Sequence, residues 1–198
     1  MYDQFVAKLV DRTNKIKLGD PMDPATEMGT LACRSQYDKV LRYIEIAKSE
    51  GATLLTGGEH PDGPALKSGL FIRPTIFGDV TSHMRIAQEE VFGPVLTLMR
   101  FHDEQEAVRI ANDTPYGLAA GIWCTDIRLA HRMIAKLRAG TVWVNNYRKT
   151  SYATPFGGYG QSGIGRENGI DAINEYTETK SVWIDTGSQI TDPFNPRA

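Results

Sequence analysis

The chain has 198 residues, 41% of them hydrophobic and 23% charged, the balance of a soluble globular protein with enough length for a real core. Its 22 basic and 24 acidic residues give a net charge of -2, which does not favour a nucleic-acid partner. No apolar run approaches a membrane span, no signal-peptide pattern opens the chain, and the two cysteines give neither a disulfide framework nor metal-ligand spacing, so a cytoplasmic protein is expected.

Residues 3–17 read as a helix, with Phe5, Leu9 and Ile16 on one stripe beside Val6 and Val10. Gly19, Pro21 and Pro24 then break the pattern. A second helix follows Ser35, read as an N-cap, and turns Tyr37, Val40, Leu41, Ile44 and Ala47 to one side before Gly51 stops it. Strands are expected at Thr53 to Leu55 and near Leu70 to Phe77, the latter weakened by Pro74. Another is expected at Pro94 to Phe101. Asp103 with Glu106 resembles a capping box for a helix that ends at Asn112 to Pro115. Leu118 to Trp123 reads as a strand, residues 126–138 as a helix and Thr141 to Val144 as a strand. A long loop precedes a helix near Glu167 to Glu175 and a last strand near Lys180 to Ile184, with a polar tail from Asp185. Several strands are apolar throughout and alternate with helices, so the fold class is α/β with a largely parallel sheet and flanking helices.

Gly158-Tyr159-Gly160-Gln161-Ser162-Gly163 fits the dinucleotide pattern G-x-G-x-x-G, and Asp185 lies near the spacing of a ribose-binding acid. The mechanics argue against that role. The first glycine belongs in the turn directly after a strand, so that a helix N-terminus meets the pyrophosphate, whereas here a loop containing Pro155 separates it from the strand ending near Asn145. A Gly-rich loop serving packing is the expectation. The nucleophile elbow G-x-S-x-G is broken at Ser162, and no P-loop or H-E-x-x-H is present.

Three segments carry a specific resemblance: Gln88 to Val95 (QEEVFGPV); Asn112 to Ala120 followed by Ala139 to Asn145; and Pro155 to Tyr159 followed by Ser162 to Glu167. In order and spacing they resemble the C-terminal region of the NAD(P)-dependent aldehyde dehydrogenase superfamily, from Tyr2 to about Ile184. The resemblance implies a partial catalytic domain over 1–178 and an oligomerisation strand and tail over 179–198. It also implies a small-molecule aldehyde as substrate and a homo-oligomer.

By the same resemblance Glu90 binds the ribose next to the nicotinamide, a role that suits an acceptor-only carboxylate facing two hydroxyl donors. Phe92 packs beside the nicotinamide. Phe156 lines the aldehyde tunnel, and Thr150 lies in the loop that varies with substrate, where Arg148 and Lys149 read as a solvated basic pair. Glu89 reads as a solvated surface charge. Gly160 stands where many family members have lysine. The cofactor is NAD or NADP in the full-length enzyme, and none is expected to bind these residues alone. The family's nucleophilic cysteine, its general base and its nucleotide-binding domain match segments before Met1, and Cys33 and Cys124 align with non-catalytic positions. The expectation is therefore an aldehyde-oxidising enzyme by family, and no turnover by these residues on their own. Two rivals remain: a non-catalytic binding or oligomerisation module, and a small nucleotide-binding protein that uses the Gly158–Gly163 loop.

Overall fold

Helix α2 organises the first half of the chain in this computed structural model, which describes residues 1–64, 66–187 and 194. It follows α1 (Tyr2–Asn14) and spans Arg34–Ser49. Val40, Tyr43, Ile44 and Ala47 fall at i, i+3, i+4 and i+7, and all four are buried. They meet Ala52, Ile72, Phe77, Val80, Ile86 and Val91 in one hydrophobic cluster. The N-cap is Cys33, extended at φ -154°, rather than Ser35. Ser35 lies inside the first turn, its hydroxyl 3.2 Å from the Cys33 sulfur.

The α1 stripe is real, but it buries nothing among the described residues, and Phe5 stays 55% exposed. The helix stops short of the expected Lys17 because the amides of Lys15 and Ile16 turn back to Arg12 and Thr13, tightening the last turn.

A three-stranded sheet lies under α2. Strand β1 (Thr53–Thr56) pairs antiparallel with β2 (Thr75–Gly78), which pairs parallel with β3 (Val95–Thr97). Every residue of the central β2 is buried. The strand expected from Leu70 starts only at Thr75, because Pro74 has no amide to give to a ladder. Short helix α3 (Arg85–Gln88) sits between β2 and β3.

The second half begins with α4 (Glu104–Asn112), capped as expected. The Asp103 carboxylate accepts the Glu106 amide at 2.8 Å, while the Glu106 carboxylate reaches back to the His102 amide at 2.9 Å. Two-residue β4 (Tyr116–Gly117) leads into β5 (Ala119–Ile122), α5 (Ile127–Lys136) and β6 (Thr141–Val144). Strands β5 and β6 run parallel in register over four residues, joined through α5 as a βαβ unit. Strand β7 (Tyr159–Gly160) pairs antiparallel with β4.

The α/β class holds, and two of the four strand pairings are parallel. Among the described residues the strands form three small sheets rather than one. The helix expected at Glu167 is a 3-10 helix at Ile170–Tyr176, delayed because Asn168 and Gly169 both adopt left-handed φ. Residues 180–184 form no strand among the described residues, and Val182, Trp183 and Ile184 are 69%, 95% and 80% exposed. A strand needs a neighbour to accept its amides, and none stands there among the described residues. Part of the expected polar tail, at 188–193 and 195–198, lies outside the described residues.

Truncating Phe77, which is fully buried, should cost about 3–5 kcal/mol as Phe77→Ala in urea denaturation. Phe5→Ala, on the open face of α1, should change stability by less than about 1 kcal/mol. Equal losses would mean that α1 packs as tightly as the α2 core.

Candidate functional site in the Glu89–Phe92 segment and the loop after β6

The segment from Glu89 to Phe92 follows α3 and lies along α2. Glu89 is extended, at φ -112° and ψ 146°, so successive side chains turn to opposite sides. Glu89 faces α2. Glu90 is exposed, Val91 is 8% exposed within the core, and Phe92 is 74% exposed. The pattern leaves an acid and an aromatic ring as the two free side chains of this stretch.

Side chains of α2 and α3 hold each residue of the segment. Arg85 grips the Glu89 carboxylate with two bonds, 2.7 and 2.9 Å, and the Tyr43 hydroxyl donates to the same carboxylate. These donors, Arg85 first and then Tyr43, pull the Glu89 carboxyl down to about 2. The same bond pushes the Tyr43 phenol up, with burial adding to it. Lys39 donates to the Glu90 carbonyl at 2.7 Å. Gln36 donates to the carbonyls of Val91 and Phe92 at 2.9 and 2.6 Å. Gln36, Lys39 and Tyr43 stand at i, i+3 and i+7, on one stripe of α2.

Phe92 adopts φ +55°, an uncommon conformation for a bulky residue that is kept only where its surroundings fix it. Gly93 follows because a Cβ there would come within 2.4 Å of a Val40 methyl.

Glu90 and its neighbour Glu89 line a groove of about 320 Å³ together with Gln88, Asn112, Thr114, Tyr116 and Ser162. Gln88 braces its floor by donating to the carbonyls of Ser82 and Asp113 at 2.8 and 2.6 Å. The opposite wall is tied by the Gly117 amide, which donates to the Ser162 hydroxyl at 3.1 Å.

A second groove, of about 330 Å³, contains both expected substrate-facing residues, Thr150 and Phe156, beside Trp143, Lys149 and Pro155. The Trp143 indole donates to the Lys149 carbonyl at 2.7 Å and fastens the loop to β6. Tyr147 meets Trp143 edge-on at 5.4 Å, and the Arg148 guanidinium lies 5.3 Å over the Tyr147 ring. Phe156 is fixed by exchanging two backbone bonds with Glu167, at 2.7 and 2.8 Å. Glu90 and the Thr150–Phe156 pair thus line separate grooves, and Phe92 lines neither.

The Gly158–Gly163 loop folds onto itself. The Ser162 amide donates to the Tyr159 carbonyl at 3.1 Å, and Gln161 donates to the Pro115 carbonyl at 2.9 Å. A Cβ on Gly158 would come within 2.4 Å of Ser162, so close packing accounts for the glycine. No α-helix begins after this loop among the described residues, only the 3-10 turn at Ile170–Tyr176. The helix N-terminus that a pyrophosphate would need is not part of it.

Cys33 and Cys124 line neither groove. The Ser35 hydroxyl and then the Gln36 amide pull the Cys33 thiol down, and the Cys124 thiol donates to the Asp126 carbonyl at 3.4 Å. Among the described residues no group of three or more His, Cys, Asp or Glu is placed to hold a metal, and no helix is long and apolar enough to cross a membrane.

Sequence reasoning missed Gln36, Lys39 and Tyr43, and took Glu89 for a solvated charge. The available signal was their spacing beside the apolar stripe of α2. Nothing in the sequence showed that this stripe would face the Glu89 segment.

A profile of the aldehyde dehydrogenase family matches residues 1–182. The chain belongs to the aldehyde dehydrogenase family. Among curated relatives it is 52% identical over 192 residues to betaine aldehyde dehydrogenase of Brucella anthropi, covering 97% of this chain and 39% of that protein. It is 47% identical over 194 residues to betaine aldehyde dehydrogenase of Mesorhizobium japonicum, covering 98% and 40%. Among solved structures it superposes on a point mutant of betaine aldehyde dehydrogenase from Staphylococcus aureus in complex with NAD+. The TM-score is 0.92 at 46% identity, over 95% of this chain and 38% of that one. The chain therefore spans about two fifths of the length of the aldehyde dehydrogenases it matches.

The Arg85–Glu89–Tyr43 contact carries a pH signature. The native Glu89 carboxyl titrates at about 2, below an unfolded value of about 4.3, so the fold favours the ionised form. Both side chains are partly exposed and screened, so its contribution is small; it is present above about 4.3 and is lost as pH falls through about 2. Carbon NMR of this carboxyl should give a midpoint near the lower figure, and Glu89→Gln should flatten the stability profile between the two. A midpoint at the unfolded value would show that the contact does not persist in solution.

Proposed function

We propose that this chain forms the C-terminal part of the catalytic site of an NAD(P)-dependent aldehyde dehydrogenase, which oxidises an aldehyde to a carboxylic acid. Within it Glu90 receives the hydroxyls of the nicotinamide ribose, and Phe92 packs beside the nicotinamide. Thr150 and Phe156 face the aldehyde. The observation that carries the reading is Glu90 itself: the backbone around it is tied down on the α2 side, while its carboxylate is exposed in a groove. That placement fits the cofactor. A ribose offers two adjacent donors, and an ionised carboxylate has two acceptor oxygens. When bound, the nicotinamide supplies the hydride acceptor.

The other residues here orient and shield. Phe92 presents an apolar face on a backbone that cannot easily swing away. Phe156 and Trp143 give the second groove an apolar wall beside its polar residues Lys149, Thr150 and Thr154. In this reading the nucleophile is supplied from outside these residues, since Cys33 and Cys124 line neither groove.

The relatives' shared name puts betaine aldehyde first among substrates to assay. Lys149 borders the second groove as an exposed residue, and a positive charge near it would disfavour a quaternary ammonium and favour an aldehyde with an anionic or neutral polar end. A panel containing both kinds separates these readings.

In the intact dehydrogenase carrying this chain, Glu90→Gln removes a charged acceptor and should weaken NAD+ or NADP+ binding by about tenfold or more in an equilibrium titration. The 198 residues alone should give no aldehyde-dependent NADH or NADPH. Unchanged nucleotide affinity in the variant, or steady turnover by the isolated chain, would sink the proposal.

The exposed run at Val182, Trp183 and Ile184, with Ile170 and Tyr176 also exposed, supports a second role. Residues 179–198 act as an oligomerisation strand and tail that adds to a neighbouring copy. Sedimentation velocity should show a dimer or larger species, and Trp183→Asp should shift it toward monomer. A wild-type monomer at micromolar concentration would exclude this role.

A further inference from the structure

Two glutamates stand side by side in the segment and both border the groove, but the Glu89 carboxylate is bound by neighbouring side chains and the exposed Glu90 carboxylate is not. Their roles are separated by what surrounds the first. Glu89 receives two bonds from Arg85, at 2.7 and 2.9 Å, and a third from the Tyr43 hydroxyl. Arg85 reaches it from the first residue of α3, at i and i+4, and Tyr43 reaches it from α2. The Arg85 guanidinium also lies 5.7 Å over the Tyr43 ring, so the three groups form a closed set. Because the backbone at Glu89 is extended, fixing that side chain toward α2 turns the next one away from it. A slip of one residue would offer Glu90 to Arg85 and Tyr43 and leave Glu89 as the unbound carboxylate.

We infer that Tyr43, Arg85 and Glu89 are positioning residues that set the register of the segment and so aim the Glu90 carboxylate at the nucleotide ribose. The inference rests on the proposed role of Glu90 and adds to it a set of residues that touch no ligand. Downstream the register is repeated. Val91 enters the core at 8% exposure, and Gln36 holds the Val91 and Phe92 carbonyls at 2.9 and 2.6 Å. Those contacts fix the far end of the segment. The end next to Glu90 is fixed by the Glu89 side chain and by Lys39 on the Glu90 carbonyl at 2.7 Å. Loss of the Tyr43 hydroxyl loosens the near end alone, because its ring stays in the core.

The test is an equilibrium NAD+ titration of the intact dehydrogenase, paired with thermal melting, for Tyr43→Phe, Glu89→Gln, Glu90→Gln and the two double variants that include Glu90→Gln. Tyr43→Phe should weaken NAD+ by about three- to tenfold with little change in melting temperature. Glu89→Gln should do the same or more. Each double variant should bind NAD+ no more weakly than Glu90→Gln alone, because a positioning residue has no effect once the group it positions is gone. Losses that add in the double variants would make these residues independent contributors and overturn the inference, as would unchanged affinity in Tyr43→Phe. If Glu89→Gln does not fold, Tyr43→Phe and its double variant decide the question. A Glu90→Gln enzyme that binds NAD+ as tightly as wild type would instead remove the underlying reading of Glu90, a separate and distinguishable result.

Discussion

The rest of the site depends on the polar stripe of α2 holding the Glu89–Phe92 backbone. The three carbonyls from Glu90 to Phe92 belong to no sheet and receive their donors from Lys39 and Gln36. A left-handed, bulky residue costs on the order of 1–3 kcal/mol. Each hydrogen bond from a neutral side chain returns about 0.5–1.5 kcal/mol, and one from a charged donor about 1.5–3 kcal/mol. Three such bonds on the same short segment are enough to keep Phe92 at φ +55°. Arg85 and Glu89 are respectively 51% and 40% exposed at the side chain, so their pairing adds little stability.

Polar and apolar stripes lie next to each other on α2. Val40, Ile44 and Ala47 enter the core, and Gln36 and Lys39 hold the segment, with Tyr43 belonging to both. The helix therefore cannot shift against the sheet without moving Glu90. The groove's other wall is built differently. There Gly117, Ser162 and Gly158 approach closely, and short strands β4 and β7 depend on glycine for that approach. One wall is rigid because a helix is packed into a core. The other is held by backbone approach at Gly117 and Gly158, where a Cβ would clash.

The sequence was most legible where a local rule suffices. Asp103 and Glu106 announced the start of α4, and the apolar run Thr141 to Val144 gave β6 to the residue. It was less legible where a neighbour decides. The strand expected from Leu70 had to wait for Thr75 because of Pro74, and the helix expected at Glu167 became a 3-10 turn behind two left-handed residues. The run from Lys180 to Ile184 has strand character and no partner strand among the described residues. For the site, the QEEVFGPV segment pointed to Glu90 and Phe92, and the loop pattern placed Thr150 and Phe156, which do share a groove. Glu89 was misjudged because its partners, Tyr43 and Arg85, come together only through the fold.

Exposure of apolar side chains has two meanings in this chain, and the backbone separates them. Ile127 and Ile134 lie on an ordinary helix at 66% and 39% exposure, and Trp183 lies on an unpaired stretch at 95%. Nothing holds these rings and chains outward. Burying each against further polypeptide would gain about 1.5–3 kcal/mol, so they mark surfaces suited to covering. Phe92 is equally exposed, at 74%, yet its carbonyl is held at 2.6 Å by Gln36 and its φ is left-handed. The fold spends hydrogen bonds to keep that ring out. An exposed side chain on a relaxed backbone marks a packing surface, whereas one held out on a strained and bonded backbone marks a contact that must be made at a fixed place. By that criterion Phe92, on a left-handed and bonded backbone, differs from the exposed side chains of α5 and residues 182–184.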